Sequence, residues 1–110
     1  MISRYLQIHQ AAIDDTETVS NAVDLGSSCI VGFTVPASFD GANITFQVAT
    51  TLGGTYRVLR QGDTGDVVTI PVTANTYVAV PYDEMQGLQF IKIVSDVAMT
   101  ADRVVEVLAR

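Results

Sequence analysis

Ile44-Thr45-Phe46-Gln47-Val48 alternates apolar and polar residues without a break. Successive side chains of a β-strand point to opposite faces, so Ile44, Phe46 and Val48 share one face and Thr45 and Gln47 the other. This is the pattern of a half-buried strand. Working outward, the same character with β-branched enrichment returns at Ile30 to Val35, Tyr56 to Leu59, Val67 to Val72, Tyr77 to Val80, Phe90 to Val94 and Val104 to Leu108. Turn residues separate these runs: Asp40-Gly41, Gly53-Gly54, Gly62-Asp63-Thr64-Gly65-Asp66, Ala74-Asn75 and Gln86-Gly87. Short strands at such regular spacing predict an all-β, single-domain antiparallel β-sandwich or barrel over residues 1–110. One helical turn is expected at Asp83-Glu84-Met85-Gln86-Gly87, where acidic residues precede a glycine stop.

Two segments leave alternatives open. Tyr5, Gln7 and His9 alternate with Leu6 and Ile8, so residues 3–13 form an edge strand, a swapped arm or a frayed terminus, and a terminal strand over residues 1–13 either closes a sheet of its own domain or pairs with an edge on a neighbouring subunit. The arm is the expectation carried forward. Residues 14–28 hold Asp14, Asp15, Glu17 and Asp24 around Val19 and Val23, which suits a second strand followed by a loop.

Composition narrows the function. The 110 residues carry 6 Lys+Arg against 12 Asp+Glu, a formal charge of −6, and 48% are hydrophobic. With only 16% charged residues and a mean hydropathy of +0.32, the chain is not of the disordered class. Nucleic-acid binding draws on clustered Lys and Arg, and here Arg4, Arg57, Arg60, Lys92, Arg103 and Arg110 are scattered. No stretch approaches the roughly 20 apolar residues of a membrane-spanning helix, and the N-terminus lacks a signal-peptide pattern, so no membrane partner and a cytoplasmic site of synthesis are expected.

The residues that do chemistry are sparse. Cys29 is the one cysteine and lies in the apolar run Cys29-Ile30-Val31, which reads as a buried small hydrophobe. His9 is the one histidine, and a metal centre of several imidazoles or a Ser-His-Asp hydrolase would need more than it supplies. There is no Gly-x-Ser-x-Gly elbow, Walker A sequence or dinucleotide fingerprint. Asp63 and Asp66 flank a tight turn that could offer two or three oxygens to a calcium ion, against the plainer reading of a hairpin loop. With no Trp, sugar-stacking surface is poorly provided. The expectation is a protein that is not an enzyme, with no catalytic, cofactor-binding or metal-ligating residues and no cofactor.

The run Ile30-Val31-Gly32-Phe33-Thr34-Val35-Pro36-Ala37-Ser38-Phe39-Asp40-Gly41-Ala42-Asn43-Ile44-Thr45-Phe46-Gln47-Val48 resembles a segment of small jelly-roll or β-sandwich virion structural proteins of tailed bacteriophages, of the capsid cement or decoration type. Their pattern is an apolar strand, a proline, a short aromatic-bearing loop and an apolar-Thr-Phe-Gln-apolar strand. Phe90-Ile91-Lys92-Ile93-Val94-Ser95 is similar to the penultimate strand of that family, after a Gly-bearing turn at Met85 to Gln89, and Gly53-Gly54-Thr55-Tyr56 and Arg103 to Arg110 fit as well. The likeness covers residues 17–110. Thr50-Thr51-Leu52 departs from it, since relatives carry a Ser-Asp-Gly type of turn there. The resemblance implies a jelly-roll-like form of the sandwich and a virion component, assembled in the bacterial host cytoplasm, that docks on the major capsid protein or other virion subunits. A small homo-oligomer is expected from composition, because 48% hydrophobic residues in so small a sandwich are more than one core can hide. The alternatives are a neck, tail or fibre-base module, or a carbohydrate- or surface-binding sandwich.

Overall fold

The computed structural model describes residues 6–81 and 85–110, and its regular elements are strands: β1 (Gln7–Ile13), β2 (Val23–Asp24), β3 (Ile30–Val35), β4 (Asn43–Ala49), β5 (Arg57–Val58), β6 (Ile70–Pro71), β7 (Thr76–Ala79), β8 (Phe90–Ser95) and β9 (Arg103–Ala109). They form two antiparallel sheets, one in the order β1-β9-β3-β7 and the other in the order β2-β8-β4-β5, with β6 also on β4. The pairings β1 with β9, β2 with β8, β3 with β7, and β4 with β5 and β6 are nested about the middle of the chain. That is the order produced when one long hairpin is rolled into a sandwich, the jelly roll. The expected β-sandwich is therefore the fold.

The alternation read from the sequence decides which side chains meet between the sheets. Ile44 and Phe46 of β4 and Ile91 and Ile93 of β8 are fully buried from one side, and Phe33 of β3, Val105 and Val107 of β9 and Ile13 of β1 from the other. Phe33 and Phe46 come from opposite sheets and meet edge to face, with ring centroids 6.3 Å apart at 67°. This arrangement sets the partly positive edge of one ring against the electron-rich face of the other. Loops close the core with Leu25, Met85 and Met99, each almost wholly buried.

Two irregularities shape the sandwich. In β3, Ile30 pairs with Ala109 and Gly32 with Leu108, so β3 advances two residues while β9 advances one and Val31 is the extra residue of a bulge. The bulge explains why Ile30 and Phe33, three apart, both face the core. Ahead of β2, Ser20 hydrogen-bonds to the Ile93 carbonyl while Val23 is opposite Ile91. Three residues on one side match two on the other, and the Ser20 hydroxyl accepts the Ile93 N–H at 2.9 Å in place of a backbone carbonyl. The chain between Ser20 and Val23 is thereby pushed out toward β1.

Strands β5 and β6 lie along the same edge of β4, and residues 60–67 interrupt them as a side hairpin closed by the Arg60–Val67 bridge. The strand expected over Val67 to Val72 is reduced to Ile70–Pro71 by this excursion. The expectation of an arm over residues 1–13 is corrected for its described part. Residues 7–13 pair with β9 of the same chain at seven successive positions. They are held there because Ala11 and Ile13, both fully buried, complete the core. Residues 1–5 lie outside the described residues, as do Tyr82, Asp83 and Glu84, where the helical turn was expected to begin; Gly87, its expected stop, adopts φ +75.

Candidate interaction surfaces

The loops 14–22, 36–42, 72–75 and 96–102 meet at one end of the sandwich, and hydrogen bonds between them set its shape. Thr16 N–H donates to the Met99 carbonyl, Met99 N–H to that of Glu17, and Asn75 N–H to that of Pro36. Asp14, Asp15, Glu17, Asp40, Asp96 and Asp102 are all exposed there, with Arg103 as the basic residue beside them. Half of the chain's twelve acidic residues thus stand at one end.

Three of these carboxylates act as loop fasteners. Asp96 Oδ1 accepts the backbone N–H groups of Ala42 (2.9 Å) and Asn43 (3.2 Å), and Oδ2 accepts Asn43 Nδ2 at 3.3 Å. These bonds favour the charged form, led by the Asn43 N–H, and hold the Asp96 pKa below its ordinary value against the opposing effect of desolvation. Asp40 accepts the Thr100 N–H at 2.8 Å and the Thr100 hydroxyl at 3.1 Å. Its pKa is likewise lowered, first by the Thr100 N–H and to a lesser degree by Arg103, whose Nη2 lies 3.9 Å away. Asp102 Oδ1 takes the Asp15 N–H at 2.8 Å. These oxygens are engaged by donors of the protein itself.

The residues singled out from the sequence do not converge. His9 is half-buried in β1, its Nε2 3.3 Å from Gln7 Oε1. Cys29 is half-buried, a correction to its expected burial: Ile30 faces the core, so its neighbour faces away. Asp63 and Asp66 are exposed in the side hairpin, where Gln61 N–H donates to the Asp66 carbonyl and Gly65 takes φ +76. Arg60 Nη1 donates to the Gly65 carbonyl at 2.9 Å, fastening the loop. Among the described residues, no three of His, Cys, Asp and Glu gather in a geometry that would hold a metal ion.

The sheet edges and outer faces are the other surfaces. Across the outer face of the four-stranded sheet, the register aligns Ile8, Leu108, Gly32 and Ala79 in one row. Tyr77 borders it, with its Cε1 and Oη 3.0 Å from where a Gly32 Cβ would stand. Leu6, Ile8 and Tyr77 are more than half exposed. On the other sheet Lys92 Nζ sits 4.5 Å above the Tyr56 ring, a cation-π contact, and the Tyr56 hydroxyl donates to the Leu52 carbonyl.

Sequence reasoning missed Asn21, which the bulge before β2 pushes onto the edge of β1. Asn21 Oδ1 accepts the Ala12 N–H at 2.6 Å, and Asn21 N–H donates to the Ala12 carbonyl at 3.1 Å. Its Nδ2 donates to the Ala22 carbonyl at 3.1 Å and reaches the Gln10 carbonyl at 3.5 Å. The side chain therefore caps part of an open strand edge and ties the two sheets together along one flank. Its partners are nine and eleven residues away, and nothing local marks the position. No protein-family model matches this chain, and no curated protein or solved structure matches it.

Proposed function

We propose that this chain is a virion structural protein of a tailed bacteriophage or prophage, a capsid cement or decoration subunit that docks on the shell and stabilises it. The observation that carries the reading is the resemblance of residues 30–48 to a segment of such proteins. In the fold this segment is β3, the loop to β4, and β4, so it supplies one central strand to each sheet and the Phe33–Phe46 contact between them. The likeness therefore falls on the framework of the domain.

The acidic end fits the same reading. A subunit on the outer surface of a shell is kept away from packaged DNA, a polyanion, and its charge keeps free copies apart before assembly. Docking would use the major capsid protein or another virion subunit as partner, through a modest contact multiplied over many copies. The protein would be made in the host cytoplasm and end in the virion.

The test is co-sedimentation of the purified chain with shells of the phage or prophage that carries its gene. Saturable binding at a fixed ratio to the major capsid protein supports the proposal. Binding to isolated tails or necks but not to shells moves the protein to that part of the particle. Absence of binding to any virion part, with specific retention on a glycan array, replaces the reading with a carbohydrate-binding one.

A further inference from the structure

We propose that the unplugged half of the β1 edge is a self-association site, where two copies join their four-stranded sheets antiparallel about a twofold axis at Ile8. In an antiparallel ladder the N–H and C=O of one residue point to the same side, and alternate residues point to opposite sides. The Ala12 N–H and C=O face Asn21 and so point away from β9. By the same parity those of Gln10 and Ile8 also point outward. Asn21 covers Ala12 and reaches the Gln10 carbonyl, whereas among the described residues nothing pairs with the N–H or C=O of Ile8 or with the N–H of Gln10. The plug therefore divides the edge into a closed part at 11–13 and an open part at 6–10.

The plug also sets the register. A strand added beyond residue 10 would meet Asn21, so an antiparallel copy can overlap only over 6–10, with Ile8 opposite Ile8 and Leu6 opposite Gln10. Ile8 is 58% exposed and Leu6 53% exposed, and both would be covered. The new pairs would make one continuous eight-stranded sheet from two copies.

Charge selects a second copy in this orientation. Residues 6–13 carry no Asp, Glu, Lys or Arg in a chain of net charge −6, so two molecules can meet here without bringing like charges together. β1 runs toward the acidic end, which begins at Asp14, and residue 8 lies about 20 Å short of it at ~3.4 Å per residue. Twofold pairing points the two acidic ends in opposite directions. The other way to extend the sheet, β1 of one copy on β7 of the next, would set every acidic end side by side. The overlap of five residues a side is well short of the roughly 20–30 residues a side of a standard interface, so the pair is weak in solution. Many copies on a surface would strengthen it.

The inference deepens the assembly part of the proposed function, and its test is separate. Sedimentation equilibrium of the full chain from about 10 μM to about 1 mM should show a monomer–dimer equilibrium. Ile8→Lys should weaken association at least tenfold, while Tyr77→Lys on the opposite edge should leave it unchanged; circular dichroism verifies that each variant is folded. A hydrogen-bonded antiparallel pair places Cα atoms about 5.5 Å apart, within disulfide reach. Ile8→Cys in a Cys29→Ser background should then oxidise to a covalent dimer, and Tyr77→Cys in that background should not. A monomer throughout the range, association insensitive to Ile8→Lys, an open-ended series of oligomers, or crosslinking from position 77 alone would each overturn the site. A monomer that still binds shells defeats only the dimer, and a dimer that ignores every virion part defeats only the virion reading.

Discussion

Replacing Asn21 by alanine removes the acceptor that Ala12 N–H uses at 2.6 Å and the donor that reaches the Ala22 carbonyl at 3.1 Å. The backbone bond from Asn21 N–H to the Ala12 carbonyl does not depend on the side chain. Asn21 is exposed, so water can take up part of the loss, and a net of about 1 kcal/mol for each of the two bonds is an upper figure. The expected destabilisation is about 1–2 kcal/mol. Unfolding entropy near 2.1 cal/mol/K per residue gives ~0.23 kcal/mol/K for a chain of this length, so Tm should fall by about 4–9 °C. Asn21→Asp keeps an acceptor for Ala12 N–H and loses only the donor, and should fall by about half as much. Thermal and urea unfolding followed by circular dichroism measure both, with the urea m-value expected to stay constant. An alanine variant within about 0.3 kcal/mol of the parent would refute the role of Asn21 as an edge plug. So would an aspartate variant as unstable as the alanine one.

Three further outcomes follow from the packing and the carboxylate fasteners. Asp40 and Asp96 have folded-state pKa values below the ordinary 3.8, so the unfolded chain takes up protons first as pH falls. Their stabilisation is complete above the unfolded value and disappears as pH drops through the lower folded values; the stability gap between the parent and Asp96→Ala, read from urea midpoints, should close below about pH 4. A gap that does not change with pH would show that the charge of Asp96 is not what fastens the loop. Gly32→Ala places a methyl 2.7 Å from the Val78 carbonyl oxygen, and because backbone cannot swing aside the cost should be about 1–3 kcal/mol in urea unfolding, with a neutral result refuting the close approach of β7. Phe46→Ala removes the ring that meets Phe33 in a fully buried site and should cost about 3–5 kcal/mol by the same assay, and a cost under about 1 kcal/mol would mean that the two sheets do not close over it.

What the sequence determined by itself was the central strands and the faces of those that alternate cleanly. Ile44 to Val48 and Phe90 to Val94 read correctly because alternation is a local property: a pleated chain turns every second side chain inward whatever it pairs with. Turn residues were legible for the same reason, since Asn75 and Gly65 take positive φ that few other residues tolerate. Nested pairing, the Val31 bulge, and the choice between arm and edge strand for β1 were decided only by tertiary structure. Each depends on a partner far along the chain, as when Ala11 and Ile13 find their burial against β9 about ninety residues later. The surfaces were the least legible. Asp40 was legible only as part of the Asp40-Gly41 turn, and nothing in the sequence tied Asp40, Asp96 or Asp102 to the Thr100, Asn43 and Asp15 groups that the fold brings to them. Asn21 fell within the second strand expected around Val19 and Val23, and nothing there marked it as the residue that a bulge before β2 carries to the edge of β1. Hydrogen-bond capping depends on the angle and distance between groups remote in sequence, and one-dimensional spacing carries neither.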